Sequence, residues 1–471
     1  MADDTFDLIV IGGGPGGYAA GIRASQLGMR VAVVEKRSTL GGVCLNEGCI
    51  PSKALLDSSE HFAFIRDKSA DHGVVVSPPV LDLPRMMARK DEIVQKLTAG
   101  IAFLFQKNRV EWLSGSGKLL ARDAGGLRAV EIDDGSSKHT VWGRRVLLAS
   151  GSVPTSLSTL PCDGTTVVEA RECLVFPSVP EHLVVIGAGY IGLELGSVWK
   201  RLGARVTVIE ILPQLLPHAD KEVAAALLRS LKKQGLSFRM GARVTGAEIQ
   251  DGKAMLRVAV GGGNEEILCD KILVAAGRKP ATAGLGLEEI GVSLGDDGRI
   301  SVDENYQTSA TGIYAIGDLT PGPMLAHKAS EEGLVFAERL AGKEINVNYD
   351  TLPGVVYTWP ESASVGRTEE QLKAQEVFYR VGKFSFLANG RAQCMSETEG
   401  FVKILSHQKS DKILGVHIVG PRASDLIAEA VAVMAYGGTS RDISAMFHAH
   451  PTLAEVFKEA AQNVFGQTLH S

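Results

Sequence analysis

The chain has 471 residues, too many for a single hydrophobic core, so about three or four domains are expected. The net charge of −5 and the absence of long basic runs argue against nucleic acid or an anionic membrane as the main partner. The acidic residues 1–7 lack the basic start of a secretion signal, and the apolar stretches are too short to span a bilayer, so we expect a soluble, cytoplasmic protein.

The first predicted element is a buried strand, residues 8–11, which runs into a glycine turn and a helix. A second strand, residues 31–34, ends in Glu35. The turn has the pattern G-x-G-x-x-G, with its glycines at Gly12, Gly14 and Gly17. In dinucleotide-binding units these glycines allow a tight turn, a close approach to pyrophosphate, and close helix packing, while the acid accepts hydrogen bonds from ribose. The pattern therefore predicts a nucleotide-binding βαβ unit.

Two cysteines, Cys44 and Cys49, follow this unit directly. A regular helix would place their Cα atoms about 8–9 Å apart, whereas a disulfide tolerates roughly 7 Å at most. A bridge between them therefore requires a distorted or late-starting helix, for which Gly48 and Pro51 are suitable. So small a loop gains little stability from closure, which favours a bond that opens and closes.

The alternatives for this pair are two buried thiols or half of a zinc site. A zinc site normally needs four ligands with paired spacing. The remaining cysteines are single and offer no second pair: Cys162, Cys173, Cys269 and Cys394. No metal is therefore predicted, and from the pair alone a redox function and buried thiols stay equally open.

The βαβ pattern occurs a second time, displaced by 175 positions. Its glycines and terminal acid are Gly187, Gly189, Gly192 and Glu210. One such glycine turn is a weak signal, but two in register, each followed by an acid at the same distance, are specific. Glu210 would repel a 2′-phosphate and no arginine cluster follows it, so the second unit is expected to prefer NAD over NADP.

Three more predicted strands end at turns of small residues. Residues 146–149 lead into Ser150 and Gly151, and residues 272–276 lead into Gly277. The third strand ends at Gly317-Asp318, where Asp318 is placed to hydrogen-bond polyol hydroxyls. Such a dipeptide alone is more often a plain turn.

Near the C-terminus, residues 447–455 read Phe-His-Ala-His-Pro-Thr-Leu-Ala-Glu. This motif, the two βαβ units, the cysteine pair and the Gly317-Asp318 turn together resemble the flavoprotein disulfide reductases, in particular the dihydrolipoamide dehydrogenase group. Residues 353–361 and 415–421 resemble the dimerisation region of that group. The resemblance covers essentially the whole chain.

The resemblance implies an α/β fold with two Rossmann-like dinucleotide-binding domains, for FAD and NAD, and a C-terminal α+β dimerisation domain. The implied boundaries are 1–150 for the FAD-binding domain with the redox disulfide, 151–280 for the NAD-binding domain, 281–348 for a central domain completing the FAD site, and 349–471 for dimerisation.

The resemblance also implies roles for single residues. FAD would be bound by Gly12, Gly14, Gly17, Glu35, Lys53, Ser150, Gly151, Asp318 and Ala326, and NAD by Gly187, Gly189, Gly192, Glu210 and Gly277. Cys44 would exchange with the dithiol substrate and Cys49 would lie nearer the flavin, beside Lys53 paired with Glu194. His450, oriented by Glu455, would be the general base and would come from the other subunit of a homodimer.

The implied reaction is the NAD-dependent oxidation of protein-bound dihydrolipoyl groups, as the shared component of 2-oxoacid dehydrogenase or glycine cleavage complexes. Its partners would be a second copy of the chain and lipoyl domains, with no nucleic acid and no membrane. A mercuric reductase should end in paired cysteines, and a glutathione or trypanothione reductase should favour NADPH. A non-catalytic subunit is the alternative of another class, against which the set Cys44, Cys49 and His450 argues.

Some positions stay open. Thr452 and Glu455 also fit a helix capping box, and His448 is expected to be structural. Tyr190, in the second glycine turn, either covers the flavin or simply packs. Val43 and Glu47 depart from the family pattern, where threonine and an uncharged residue are expected.

Overall fold

The computed structural model of the protein describes residues 5–121 and 126–470, so the first four residues of the acidic N-terminal segment lie outside it. The chain forms two compact units, each built from three stretches. The first unit comprises residues 1–55, 82–155 and 277–347, and the second comprises 56–81, 156–276 and 348–471. The division into four domains stays a prediction.

The helices of the described residues, in chain order, are α1 (Pro15–Gln26), α2 (Gly42–Glu47), α3 (Cys49–Asp67), α4 (Leu83–Asn108), α5 (Ala170–Cys173), α6 (Tyr190–Arg201), α7 (Lys221–Lys233), α8 (Ala326–Leu340), α9 (Glu369–Ala374), α10 (Gly390–Cys394), α11 (Ala423–Ala435), α12 (Ser440–Ala445) and α13 (Glu455–Asn463). The strands are β1 (Thr5–Ile11), β2 (Val31–Glu35), β3 (Glu111–Ser114), β4 (Ser116–Leu119), β5 (Arg128–Asp133), β6 (Lys138–Leu148), β7 (Ser152–Pro154), β8 (Val167–Val168), β9 (His182–Ile186), β10 (Arg205–Glu210), β11 (Ser237–Met240), β12 (Arg243–Gln250), β13 (Lys253–Val260), β14 (Gly263–Cys269), β15 (Lys271–Val274), β16 (Arg278–Pro280), β17 (Ile313–Ala315), β18 (Gly354–Val356), β19 (Glu361–Gly366), β20 (Tyr379–Ser385), β21 (Phe401–His407) and β22 (Ile413–Gly420).

The first unit is organised around a sheet of order β3-β2-β1-β6-β5-β4, to which β17 adds by pairing with β6. β1 runs parallel to both β2 and β6 and is buried on both faces. Leu8 and Val10 join the core on one face, and Ile9 and Ile11 join the core on the other. A run of apolar residues without alternation is typical of such a central parallel strand.

The second unit contains a five-stranded parallel sheet of order β11-β10-β9-β15-β8, flanked by the antiparallel strands β12, β13 and β14. Its strand β10 pairs with β9 in the same way as β2 pairs with β1 in the first unit. The repeat seen in the sequence is therefore also a structural repeat, and the prediction of two Rossmann-like units in an α/β fold is confirmed.

The C-terminal part of the second unit is an antiparallel sheet of order β18-β19-β22-β21-β20. Helices α11, α12 and α13 cover it, and their apolar side chains share one core with β20 to β22. This packing holds α13 in place. The predicted base, His450, lies in the loop directly before this helix. No helix among the described residues is long and apolar enough to cross a membrane.

Candidate active site

The first glycine turn is shaped by backbone contacts that exclude any side chain. Gly12 has φ +110°, and a Cβ atom there would lie 2.3 Å from the carbonyl oxygen of Ala149. A Cβ atom on Gly17 would lie 1.8 Å from the carbonyl oxygen of Gly12. Both contacts are far inside the van der Waals limit, so these two positions require glycine for the fold itself.

Glu35 holds this turn from the end of β2. Its carboxylate accepts hydrogen bonds from the backbone N–H of Gly13 at 2.8 Å and of Arg37 at 2.9 Å. The side chain is buried. Each carboxylate oxygen has a second lone pair, so ribose hydroxyls can still donate to it.

The second glycine turn repeats this geometry. Gly187 has φ +105°, and a Cβ atom on Gly192 would lie 2.1 Å from the carbonyl oxygen of Gly187. The buried Glu210 accepts from the N–H of Ala188 at 2.7 Å and of Leu212 at 2.9 Å. The predicted NAD site is therefore built like the predicted FAD site.

The middle glycine of each motif differs from the other two. A Cβ atom on Gly189 would meet no atom within 4 Å, and one on Gly14 would meet only Gly42 Cα, at 3.7 Å. These glycines leave open space directly before α6 and α1, where the N-terminal N–H groups of each helix can receive a pyrophosphate. The residues present fit two dinucleotides.

The remaining predicted FAD residues of the first unit lie on neighbouring turns. Ser150 donates to the carbonyl oxygen of Ala281 at 2.9 Å, and Gly151 has φ +75° with open space at its Cβ position. Asp318 accepts from Ser152 Oγ at 2.5 Å. Ala326 is the first residue of α8. Gly277, predicted for NAD, has φ +107° and accepts from Thr155 N–H at 3.0 Å, and its role stays a prediction.

The turn that carries Asp318 rests on a buried ion pair that the sequence does not reveal. Lys328 Nζ lies 3.0 Å from Glu332 Oε1, and both side chains are almost completely buried. Glu332 accepts from the N–H of Gly317 at 2.7 Å, and Lys328 donates to the carbonyl oxygen of Gly317 at 3.0 Å. Taken alone, these residues would be assigned to the surface of a helix.

The two predicted redox cysteines lie on either side of a break in the helix. Cys44 is in α2, Cys49 begins α3, and Gly48 between them has φ −132° and ψ −111°. The segment thus has the distortion that a bridge requires, at the glycine where it was expected. In this structure both cysteines are thiols.

The Cys44 thiol is hydrogen-bonded to Cys49 across the helix break. Its hydrogen bond to Cys49, together with burial, raises the pKa of Cys44, while the positive charge of Lys53 acts in the opposite direction. A group able to remove that proton is therefore needed for Cys44 to become a nucleophile. Tyr18 on α1, which the sequence analysis did not single out, lies near the same pair. Burial raises the pKa of Tyr18, and a negative charge on Cys44 raises it further.

Lys53 lies one turn into α3, and the buried Glu194 lies on α6, where it accepts from the N–H of Tyr357 at 3.1 Å. The two residues belong to different units, and their pairing stays a prediction.

The unexpected Glu47 is held by Arg37, whose guanidinium donates to both carboxylate oxygens at 2.6 and 3.0 Å. This bidentate pair joins α2 to the loop after β2.

His450 and Glu455 form a direct contact in the second unit. His450 Nδ1 lies 2.9 Å from Glu455 Oε1, and the imidazole side chain is 78% exposed. Glu455 Oε2 accepts from the N–H of Thr452 at 2.8 Å. Burial opposes the charge of Glu455, but these two hydrogen bonds outweigh it and lower its pKa, so the carboxylate stays ionised beside the imidazole.

Only half of the capping box forms, because Glu455 accepts from the N–H of Thr452 but the Thr452 hydroxyl is used elsewhere. α13 begins at Glu455 after Ala454, and the Thr452 hydroxyl donates instead to the carbonyl oxygen of Ala449. Glu455 therefore contacts His450 and also places a negative charge in the first turn of α13, where the helix dipole favours it.

The chain matches the family described as pyridine nucleotide-disulphide oxidoreductase over residues 6–333, and the dimerisation domain of the same family over residues 352–461. The chain belongs to this family. The resemblance predicted from the sequence is confirmed, and the protein is an oxidoreductase that uses FAD and NAD.

Its relatives match over almost their whole length. Dihydrolipoyl dehydrogenase 2, mitochondrial, from Arabidopsis thaliana is 48% identical, with 99% of this chain and 92% of that protein aligned. Dihydrolipoyl dehydrogenase 3 from Pseudomonas putida is also 48% identical, with 99% of each chain aligned. The crystal structure of LpdA from Mycobacterium tuberculosis superimposes with a TM-score of 0.90 at 27% identity, covering 97% of this chain and 99% of that one.

Proposed function

We propose that the protein oxidises protein-bound dihydrolipoyl groups to the cyclic disulfide with NAD⁺ as the final acceptor. The reaction removes two electrons and two protons from a dithiol, and forms NADH and one free proton. The observation that carries the proposal is the exposed His450 held by Glu455, in a chain that also presents the hydrogen-bonded thiols Cys44 and Cys49. Relatives of similar length bear the name of this activity.

The chain's own groups divide the work. When Cys44 and Cys49 are bridged, His450 takes a proton from the substrate dithiol, and the resulting thiolate attacks Cys44, which releases Cys49 as a thiolate and leaves the substrate in a mixed disulfide with Cys44. The second substrate sulfur then attacks the first within that mixed disulfide, so that the cyclic disulfide forms and Cys44 leaves as the second thiolate. Glu455 fixes the imidazole and stabilises its cationic form. The chemistry that FAD would supply when bound is two-electron transfer between the thiol pair and NAD⁺. Gly14 and Glu35 would hold FAD, and the equivalent Gly189 and Glu210 would hold NAD.

Two copies of the chain would share each site. The C-terminal residues match a dimerisation domain, and the His450 side chain is exposed on its own chain. A partner subunit would then supply His450 to the pair Cys44 and Cys49. The lipoyl domains of 2-oxoacid dehydrogenase or glycine cleavage complexes would be the substrates, and a cytoplasmic location remains part of the proposal.

Mixing two inactive variants tests the shared site. Cys44→Ser removes the exchanging sulfur, and His450→Gln removes the base, which typically costs about 10²–10⁴-fold in rate. After subunit exchange, half the dimers are mixed and each has one intact site, so about a quarter of the wild-type activity should return. The measurement is NADH-dependent reduction of lipoamide, with subunit exchange demonstrated separately.

The controls separate this proposal from its rivals. His450→Gln should still oxidise NADH with an artificial acceptor that takes electrons directly from the flavin. Full subunit exchange without recovered activity would place the thiols and the base on one chain. Greater activity with oxidised glutathione and NADPH than with lipoamide and NADH would reject the substrate and the nucleotide together.

A further inference from the structure

A second histidine, His448, lies two residues before the proposed base and is also paired with a glutamate. His448 Nε2 is 2.9 Å from Glu429 Oε1, and the side chain of His448 is 4% exposed. His450 Nδ1 makes the same kind of contact with Glu455, but its side chain is 78% exposed. One loop thus carries two histidines, each paired with a glutamate of a neighbouring helix, and one histidine is buried while the other is exposed.

The histidine loop, residues 446–454 between α12 and α13, is held at both ends. Lys458 Nζ donates to the carbonyl oxygen of Met446 at 3.0 Å. The buried Asn389 donates to the carbonyl oxygen of Thr452, also at 3.0 Å. Between these anchors, Phe447 is fully exposed on its own chain and so contributes no packing within that chain. His448 is the side chain that ties the middle of the loop to α11, through Glu429.

Packing alone does not account for an imidazole at this position. The Nδ1 atom of His448 is buried and has no hydrogen-bond partner among the described residues. An unsatisfied buried polar atom costs free energy that an apolar side chain of similar size would avoid. The contact of Nε2 with Glu429 is what the imidazole adds.

We propose that His448 is a positioning residue for His450, acting through Glu429 to fix the histidine loop. The inference rests on the proposed function, in which His450 is the base. A displacement of about 1 Å in a reacting group can cost on the order of 10²-fold in rate. An exposed base whose own side chain makes few contacts depends on its loop for that precision.

Paired substitutions at position 448 test the role. The amide nitrogen of glutamine reaches the place of Nε2, so His448→Gln should keep the bond to Glu429 and most of the rate. His448→Asn is too short, and should lower the lipoamide kcat about 10–100-fold. NADH oxidation by an artificial acceptor, the KM for NADH and the FAD content should not change in either variant.

The matched pair at the partner position is Glu429→Gln, which keeps an acceptor oxygen, and Glu429→Ala, which does not. Glu429→Ala should lower the lipoamide kcat as much as His448→Asn does. The double variant with both substitutions should lose no more of this rate than either single variant, because the two side chains act as a unit. Glu429→Ala also keeps the test decisive if His448→Asn does not fold.

Two results would overturn the inference. One is a wild-type lipoamide rate in both His448→Asn and Glu429→Ala. The other is an equal loss in His448→Gln and His448→Asn that follows lost FAD or lost dimer, which would make the role merely structural. His450→Gln, measured in parallel, separates the two proposals. Full turnover in that variant defeats the proposed function, whereas its loss beside a normal His448→Asn defeats this inference alone.

Discussion

Glu35 and Glu210 do two jobs with one carboxylate. Each braces a glycine turn through the N–H of its second residue, Gly13 or Ala188, and each also closes its own loop through a backbone N–H two residues on. The sequence pattern predicts an acid for ribose recognition, but the structure shows that the same acid also sets the turn. A substitution therefore changes nucleotide choice and turn geometry together, and the test needs a variant that separates them.

Glu210→Gln comes nearest to that variant, because the negative charge is gone while its amide oxygen can still accept one of the two backbone N–H bonds, and an unchanged Tm would show that the turn is kept. Hydrogen bonds to charged groups are worth roughly 1.5–3 kcal/mol, so the preference for NADH over NADPH in kcat/KM should narrow about tenfold or more. Glu35→Gln is the matched control, with the same contacts in the first unit. It should loosen FAD and leave the nucleotide ratio as it is. If Glu210→Gln keeps the wild-type ratio, Glu210 does not discriminate against the 2′-phosphate.

At the scale of elements, the strand–turn–helix unit assigns different work to its glycines. Gly192→Ala would place a methyl group 2.1 Å from the carbonyl oxygen of Gly187, and overpacking of this kind costs about 1–3 kcal/mol. Gly189→Ala meets no atom within 4 Å and has extended backbone, so the fold should accept it. Its methyl group would instead occupy the space before α6 that a pyrophosphate needs.

Gly189→Ala should therefore keep the wild-type Tm and bind NADH about tenfold more weakly or worse, equivalent to a loss of 1.4 kcal/mol. Gly192→Ala should lower the Tm or fail to fold. Thermal unfolding and NADH titration of the two purified proteins decide. A Gly189→Ala protein with normal NADH affinity would show that this turn does not receive the nucleotide.

The sequence predicted the elements whose signals are local. The strands, glycine turns and terminal acids of both units stand where the sequence pattern placed them, and the helix break lies at Gly48, one of the two residues considered suitable for it. What it could not predict are contacts between distant stretches. Gly333 on α8 packs so closely against α1 that a Cβ atom there would lie 2.5 Å from the carbonyl oxygen of Gly16. The sequence of neither helix predicts this contact. The bond between His448 and Glu429 is hidden for the same reason.

At the scale of a whole unit, a buried cluster of charged side chains joins parts of the chain that are far apart in the sequence. In the second unit, Lys403 on β21 is 1% exposed and contacts three carboxylates, on Asp220, Glu222 and Glu369. Asp220 precedes α7 and Glu369 begins α9, so one ammonium group ties two helices to the sheet. Removing one partner of a buried pair leaves uncompensated charge, which typically costs about 3–5 kcal/mol.

The pH dependence of this cluster follows from its carboxylates. Burial opposes the charge of Glu369, but hydrogen bonds from Lys373, Lys403 and Tyr379 outweigh it and lower its pKa to about 2. Burial is likewise outweighed at Asp220, whose pKa is also lowered. Since these folded-state values lie below those of the unfolded chain, about 4, the cluster stabilises the fold fully above about pH 5. That contribution is lost as the pH falls towards 2.

Lys403→Met should therefore lower the Tm of the FAD-loaded protein by roughly 5–15 °C at pH 7. The gap to wild type should shrink as the pH is lowered from 7 to 4, because protonation relieves the unpaired carboxylates in the variant while the stabilisation in the wild type begins to be lost below about pH 5. Lys383→Met is the matched control, because the Lys383 side chain is 41% exposed and also pairs with Glu222. An exposed pair is worth about 0–1 kcal/mol, so this control should melt close to wild type at both pH values. A gap between Lys403→Met and wild type that does not depend on pH would mean that Lys403 stabilises the unit by packing its alkyl chain and not by its charge.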